Sequence, residues 1–159
     1  MRKQIYMAII ARLKEISQIK YIDLWNNNIE MLTSGAVWPR PAVFIEFETV
    51  EWKQQQRGAR RGDFAIRLHI VTDAVTYNGS DDQRQNAALE YLDLIDEINK
   101  SMQGLRGENF AGFMLTTSAT NHDHAELIEN VERYITSVQE ITAMPPINIA
   151  PISNIKLNT

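Results

Sequence analysis

Histidine is the residue type in this sequence best suited to bind a metal ion. His122 and His124 are two positions apart, so on a strand they would share a face and could hold a metal between them. His69 could supply a third ligand if its own strand lay alongside. Zinc sites usually carry more ligands at a characteristic spacing, and loop histidines beside Asp and Asn commonly act as caps. We therefore expect no metal and no cofactor, and keep a histidine-ligated metalloprotein as an alternative.

Three arginines could bind anions. Arg57, Arg60 and Arg61 surround Gly58 and Gly62, and a guanidinium group can bind a phosphate or a carboxylate through two hydrogen bonds. The segment lacks the spacing and the lysine of a phosphate-binding loop, and no aromatic side chain at its tip could stack on a base. We predict that the arginines form an assembly interface, with a nucleic-acid-binding module as the alternative.

The signatures of catalysis are absent from the sequence. Without cysteine there is no thiolate nucleophile, and no Gly-x-Ser-x-Gly motif marks an activated serine. Glu46 and Glu48 form one carboxylate pair, and Asp93 and Glu97 form another. Ordinary solvated surfaces explain both pairs. We therefore expect that the protein is not an enzyme.

Length and composition are typical of one soluble domain. The chain has 159 residues, of which 44% are hydrophobic and 23% charged, with a net charge of −4. No stretch approaches the roughly 20 apolar residues of a membrane-spanning helix, so we expect no membrane association. We assign residues 1–143 to a single domain.

Charge is distributed unevenly along the chain. Basic residues cluster in one segment, comprising Lys53, Arg57, Arg60, Arg61 and Arg67. Acidic residues crowd a later segment, comprising Asp81, Asp82, Glu90, Asp93, Asp96 and Glu97. Separate basic and acidic surfaces can pair between copies in a head-to-side ring. Two ordinary solvated surfaces are the alternative.

The first half of the chain alternates between helix and strand patterns. Isoleucines and a leucine recur every three or four residues in 2–18, which predicts an amphipathic helix. Alternating apolar residues predict strands at 19–25, 42–52 and 63–72. The polar, glycine-containing segment 54–62 predicts the tip of a long protruding hairpin.

The second half supplies a further helix, two strands and an arm. Helical spacing predicts a helix at 82–102, and strands are predicted at 113–119 and 130–141. Residues 144–159 contain three prolines and five large aliphatic residues, which predicts an extended arm that docks on a surface. Ile147, Ile149 and Ile152 are its candidate contacts, on the same chain or on a neighbour. The predicted fold is α+β, with an antiparallel sheet of four to five strands and two helices on one face.

The order of these elements resembles that of the tail terminator and tail-completion (head–tail joining) proteins of long-tailed bacteriophages. The features that carry the resemblance are the opening helix, the proline-led strand Pro41-Ala42-Val43-Phe44-Ile45-Glu46, the polar hairpin returning through 61–71, the helix at 82–102, and the segment 117–134 before the last strand. They cover about residues 1–142 and are structural features, with no catalytic motif among them. The arm lies outside the resemblance.

The resemblance implies a structural virion protein. Members of the family form a hexameric ring that terminates the tail tube and meets the neck or connector, without cofactor or enzymatic activity. It further implies partners in the tube and neck proteins, a non-specific contact with DNA in the channel, and assembly in the host cytoplasm. A tube subunit that stacks into long polymers is the neighbouring alternative.

Overall fold

A computed structural model describes residues 1–30, 37–74, 79–80, 83–121, 123 and 126–146. Within these residues, two α-helices pack against a six-stranded sheet. The predicted α+β class is therefore confirmed.

Both helices follow the predicted apolar spacing. Helix α1 spans Arg2–Leu13 and buries Ile5, Ile9 and Leu13, which recur every fourth residue on one face. Helix α2 spans Gln85–Met102 and buries Ile98 and Met102, among others. Helix α2 begins later than the predicted position 82, which lies outside the described residues, because Gln83 and Arg84 form a turn before it.

The six strands lie in the order β1-β2-β4-β6-β5, and β3 pairs with the start of β4. Their bounds are β1 Tyr21–Leu24, β2 Ala42–Phe47, β3 Trp52–Gln54, β4 Arg60–Asp73, β5 Met114–Asn121 and β6 Leu127–Glu140. Four of the five pairings in the described part of the chain are antiparallel, as predicted, whereas β1 runs parallel to β2. The connection between β1 and β2 is long enough to return the chain to the same end of the sheet.

The sheet has one strand more than the four to five predicted. The segment 42–52 was expected as a single strand, but it divides into β2 and β3, separated by residues 48–51. Glu48 N–H still donates to the carbonyl of Ala65 on β4, at 3.1 Å. The regular ladder therefore ends near Phe47 and resumes with β3 at the start of β4.

The hairpin is shorter than predicted, and it does not protrude freely. β3 pairs only with Arg60, Arg61 and Gly62, whereas β6 flanks β4 along its entire length. Between the strands Ala59 N–H donates to Gln56 O, and Arg57 and Gly58 both have positive φ, as in a type I′ turn. The tip is thus part of the sheet.

The two faces of the sheet have different coverings. Helices α1 and α2 cover one face, where apolar side chains of β2, β4 and β6 form the main core. We call this the helix-covered face, and the opposite one the open face. Residues 25–30 and 37–41 cover one end of the open face, with Trp38 and Ile29 packed on Phe44 and Val71.

Glycine substitutions test how the chain after β6 packs on the hairpin tip. A Cβ added at Gly58 would lie 2.7 Å from the carbonyl oxygen of Ala143, and φ at Gly58 is +82°. Gly104, just past α2, has φ of +75° but nothing within 4 Å of an added Cβ. Gly104→Ala should lower the free energy of unfolding by about 1 kcal/mol, from backbone strain alone.

Gly58→Ala should cost about 1–3 kcal/mol more than Gly104→Ala, because it must also displace the Ala143 segment. Gly79→Ala, with ordinary φ and open space, should change stability by less than about 0.5 kcal/mol. Urea unfolding of the three variants measures the series. Equal losses at Gly58 and Gly104 would contradict the packing of the Ala143 segment on the tip.

Candidate assembly surfaces

The centre of the open face carries a network of paired charges. Glu48 accepts two hydrogen bonds from Arg133, from Nε to Oε1 and from Nη2 to Oε2, each 2.9 Å long. Arg67 Nε lies 2.9 Å from Oε1 of Glu48, and its Nη1 lies 3.5 Å from Oε2 of Glu46. The Glu46 and Glu48 pair considered above for catalysis therefore holds β2, β4 and β6 together.

The network changes how its members titrate. The hydrogen bond from Arg133 is the main cause that lowers the pKa of Glu48, with the charges of Arg133 and Arg67 adding to it. The same contact raises the pKa of Arg133. Both shifts favour the ion pair at neutral pH.

His69 is buried at the edge of this network. Its Nδ1 lies 2.7 Å from Oε1 of Glu129 and its Nε2 lies 3.1 Å from Oε2 of Glu46. The ring of Trp25 stacks on it, with ring centres 3.7 Å apart and planes at 4°. Both ring nitrogens face carboxylates of neighbouring strands, so His69 links β4 to β2 and β6. The stacked ring of Trp25 holds the residue after β1 on the sheet.

His69, the third ligand of the alternative metal site, thus binds two carboxylates of the sheet instead. Among the residues that the structure describes, no group of three or more His, Cys, Asp or Glu side chains is arranged to hold a metal ion. His122 and His124 lie outside the described residues. The carboxylates nearest to His69 are Glu46 and Glu129, which it binds directly.

The three arginines do not form one surface. Arg57 lies in the turn, whereas Arg60 and Arg61 are neighbours on β4 and point to opposite faces. The guanidinium of Arg60 lies over the ring of Trp52, 4.5 Å from its centre. Arg61 Nε donates to Ser137 Oγ at 3.0 Å on the open face. The predicted arm contacts Ile147, Ile149 and Ile152 lie outside the described residues.

Two depressions of the open face meet at Arg61. The larger, of about 590 Å³, is lined by Lys53, Arg61, Arg133, Glu51, Asp63 and Ile135, with Thr49, Gly62 and Ala65. The smaller, of about 340 Å³, lies between Arg61 and the Asn109–Ala111 segment. We call the larger one the Arg61 groove.

The edge strand β5 is a surface that sequence reasoning missed. β5 was predicted as a strand, but seven of its eight residues are exposed, including Met114 and Leu115. Strands at sheet edges usually carry charges or proline, which prevent pairing with other chains. The run Met114–Asn121 has neither. That uncharged run was the signal available in the sequence.

In the described part of the chain, no helix has the length and apolar character needed to cross a membrane. No protein-family model matches the sequence, and no curated protein matches it. Among solved structures, a chain from the virion of a native gene transfer agent particle is similar, at a TM-score of 0.47 and 11% sequence identity. The match covers 85% of this chain and 94% of that chain. A likeness at this level does not indicate a function. The function proposed below is based on the surfaces described above.

The Glu48–Arg133 pair gives a pH-dependent contribution to stability. Because the pKa of Glu48 is lowered in the folded protein, the contribution is present above the ordinary pKa of a glutamate. It is lost as the pH falls through the lowered pKa. Glu48→Gln should therefore cost about 1 kcal/mol at pH 7, since the pair is partly solvated, and less at pH 3.

Unfolding by urea at both pH values measures the difference. Glu15→Gln is the control, because Glu15 forms only an exposed pair with Arg12 at 3.7 Å and should show little effect at either pH. An equal loss for Glu48→Gln at pH 3 and pH 7 would contradict the role assigned to this carboxylate.

Proposed function

We propose that the chain is a structural virion protein that forms a ring, terminates the tail tube of a phage-like particle and joins it to the neck or connector. The order of its elements, described above, supports the resemblance to tail terminator and tail-completion proteins. The charged groups at the centre of the open face support a structural role, because they pair with one another across the strands.

The observation that carries the proposal is the exposed edge of β5. An unpaired strand edge presents rows of backbone N–H and C=O groups that another chain can bind. Gln103 Oε1 caps the start of this edge by accepting from Leu115 N–H, at 3.4 Å. The rest of β5, Thr116 to Asn121, is the outermost strand at this side of the sheet. In an assembly, a neighbouring chain would cover it.

The uncovered part of the open face supports the same conclusion. An antiparallel sheet packs one face on its core and can leave the other face to solvent or to a partner. Here the helices cover one face, while the region of the Arg61 groove on the other face has no covering among the described residues. A subunit that completes its layers with a neighbour has this shape.

In the proposed ring six copies surround the channel, with the tube protein on one side and the neck or connector protein on the other. The function requires neither a cofactor nor catalysis. In this proposal Arg57, in the turn at the hairpin tip, makes the non-specific contact with DNA passing through the channel. The arm, with Ile147, Ile149 and Ile152, remains a predicted contact with the same chain or a neighbour.

The function can be tested in the particles themselves. Virions carrying a tagged copy should bind antibody at the junction of tail and neck, in a single band. Without the protein, tubes should lose their defined length and remain unattached to heads, because nothing stops growth or supplies the joint. Label along the entire tube would instead identify a tube subunit, and normal particles made without the protein would contradict the proposal.

Lysines on β5 test whether its edge takes part in assembly. Met114→Lys with Ala119→Lys adds two charges at exposed positions for which no side-chain hydrogen bond is observed and which lie opposite the uncharged residues Ile135 and Val131. Stability should change by less than about 0.5 kcal/mol per site, whereas the concentration needed for assembly should rise at least about tenfold.

Native mass measurements over a range of concentrations give the result. Met7→Lys with Ala11→Lys, both exposed positions on α1, adds the same charge away from the edge and should leave assembly unchanged. Unchanged assembly of the β5 variant would exclude the edge from the interface.

A further inference from the structure

The Arg61 groove contains two positive side chains, Lys53 and Arg61, that form no ion pair among the described residues. Lys53 on β3 is directly opposite Arg61 on β4, and like charges in this position destabilise a strand pair. Within the described residues, no carboxylate lies within ion-pair distance of either group. The bond from Nε to Ser137 fixes the guanidinium of Arg61 and leaves its two terminal nitrogens available for a bidentate anion.

The outer surface of helix α2 carries mainly negative charge. Glu90, Asp93, Glu97 and Lys100 are all exposed and lie along one ridge, at intervals of three and four residues. In the part of the chain that the structure describes, these four side chains form no ion pair. Carboxylates spaced in this way repel each other on an isolated helix, and a partner of positive charge would relieve the repulsion.

The ridge and the groove cannot meet within one copy. Buried residues of α2, including Leu94 and Ile98, pack on the helix-covered face of the sheet. Lys53 and Arg61 lie on the open face, on which Arg61 bonds Ser137. A contact between these two surfaces therefore joins two copies head to tail, and head-to-tail contacts generate rings or filaments.

We propose that the α2 ridge of one copy binds in the Arg61 groove of the next copy. Asp93 and Glu97 pair with Lys53 and Arg61. Lys100 lies one turn further along the helix, towards Glu51 and Asp63, which line the same groove. The sheet is then sandwiched between its own helix and that of its neighbour. This inference rests on the proposed self-assembly and identifies the partner of the groove as a second copy.

Charge reversal provides the test. Lys53→Glu with Arg61→Glu reverses the groove, and Asp93→Lys with Glu97→Lys reverses the ridge. Each double variant alone should assemble at least about tenfold more weakly than the wild-type protein, because like charges then meet at each contact. An equimolar mixture of the two should regain assembly, since each reversed surface meets its complement in alternating copies. The variant with all four changes should assemble by itself.

Native mass and analytical ultracentrifugation measure assembly, and circular dichroism checks folding. Lys3→Glu on α1 with Lys14→Glu just past its end carries the same charge change as the groove variant and should assemble like the wild-type protein. Added salt should weaken the wild-type contact, because the charges are exposed.

Normal assembly of either double variant, or failure of both the mixture and the quadruple variant to recover, would overturn the proposal. Loss of binding to DNA by the groove variant, without a change in assembly, would assign the groove to nucleic acid.

The test of this contact can fail or succeed independently of the test of the proposed function. A protein that forms rings at the tail–neck junction, yet is insensitive to these reversals, keeps the function and loses this contact. Conversely, recovery in the mixture would establish the contact even if the protein were absent from virions.

Discussion

The pairing of β4 with β6 is the interaction on which the rest of the structure depends. The two strands are antiparallel and in register over fourteen residue pairs, from Arg60 opposite Glu140 to Asp73 opposite Leu127. β2 and β3 add to one side of this pair, and β5 adds to the other. Because side chains alternate along a strand, the register also decides which residues reach each face.

One face of the pair is apolar and receives the helices, whereas the centre of the other face is polar and its charged side chains bind one another. On β4, Phe64, Ile66 and Leu68 reach the core. Arg67 and His69 point to the opposite face and take part in the charged network. Tyr134 on β6 extends from the core to α2, where its hydroxyl donates to Asn99 Oδ1, and burial raises its pKa. A shift by one residue would bury the arginines under the helices and expose the core, so both faces specify the same register.

Periodicity predicted the elements that carry their large apolar side chains on one face. Ile5, Ile9 and Leu13 indicated α1, and the alternation from Phe64 to Ile70 indicated β4, because in both cases one face meets the core. The same reasoning could not assign partners. The parallel course of β1 depends on a long connection, and the division of 42–52 depends on where the ladder with β4 ends. The exposed edge of β5 follows from strand order, which a pattern within one segment does not contain.

The clustering of charged residues along the sequence also differs from their distribution over the surface. Arg67 belonged to the basic segment by position, but Glu46 and Glu48 neutralise it within the sheet. Arg60 and Arg61 are adjacent in sequence, yet the pleat places one over Trp52 and the other beside Ser137. In the groove, Lys53 and Arg61 face each other across the strands and form no ion pair among the described residues. A basic segment on a strand therefore divides between two faces, and only the side chains that form no local ion pair are available to a partner.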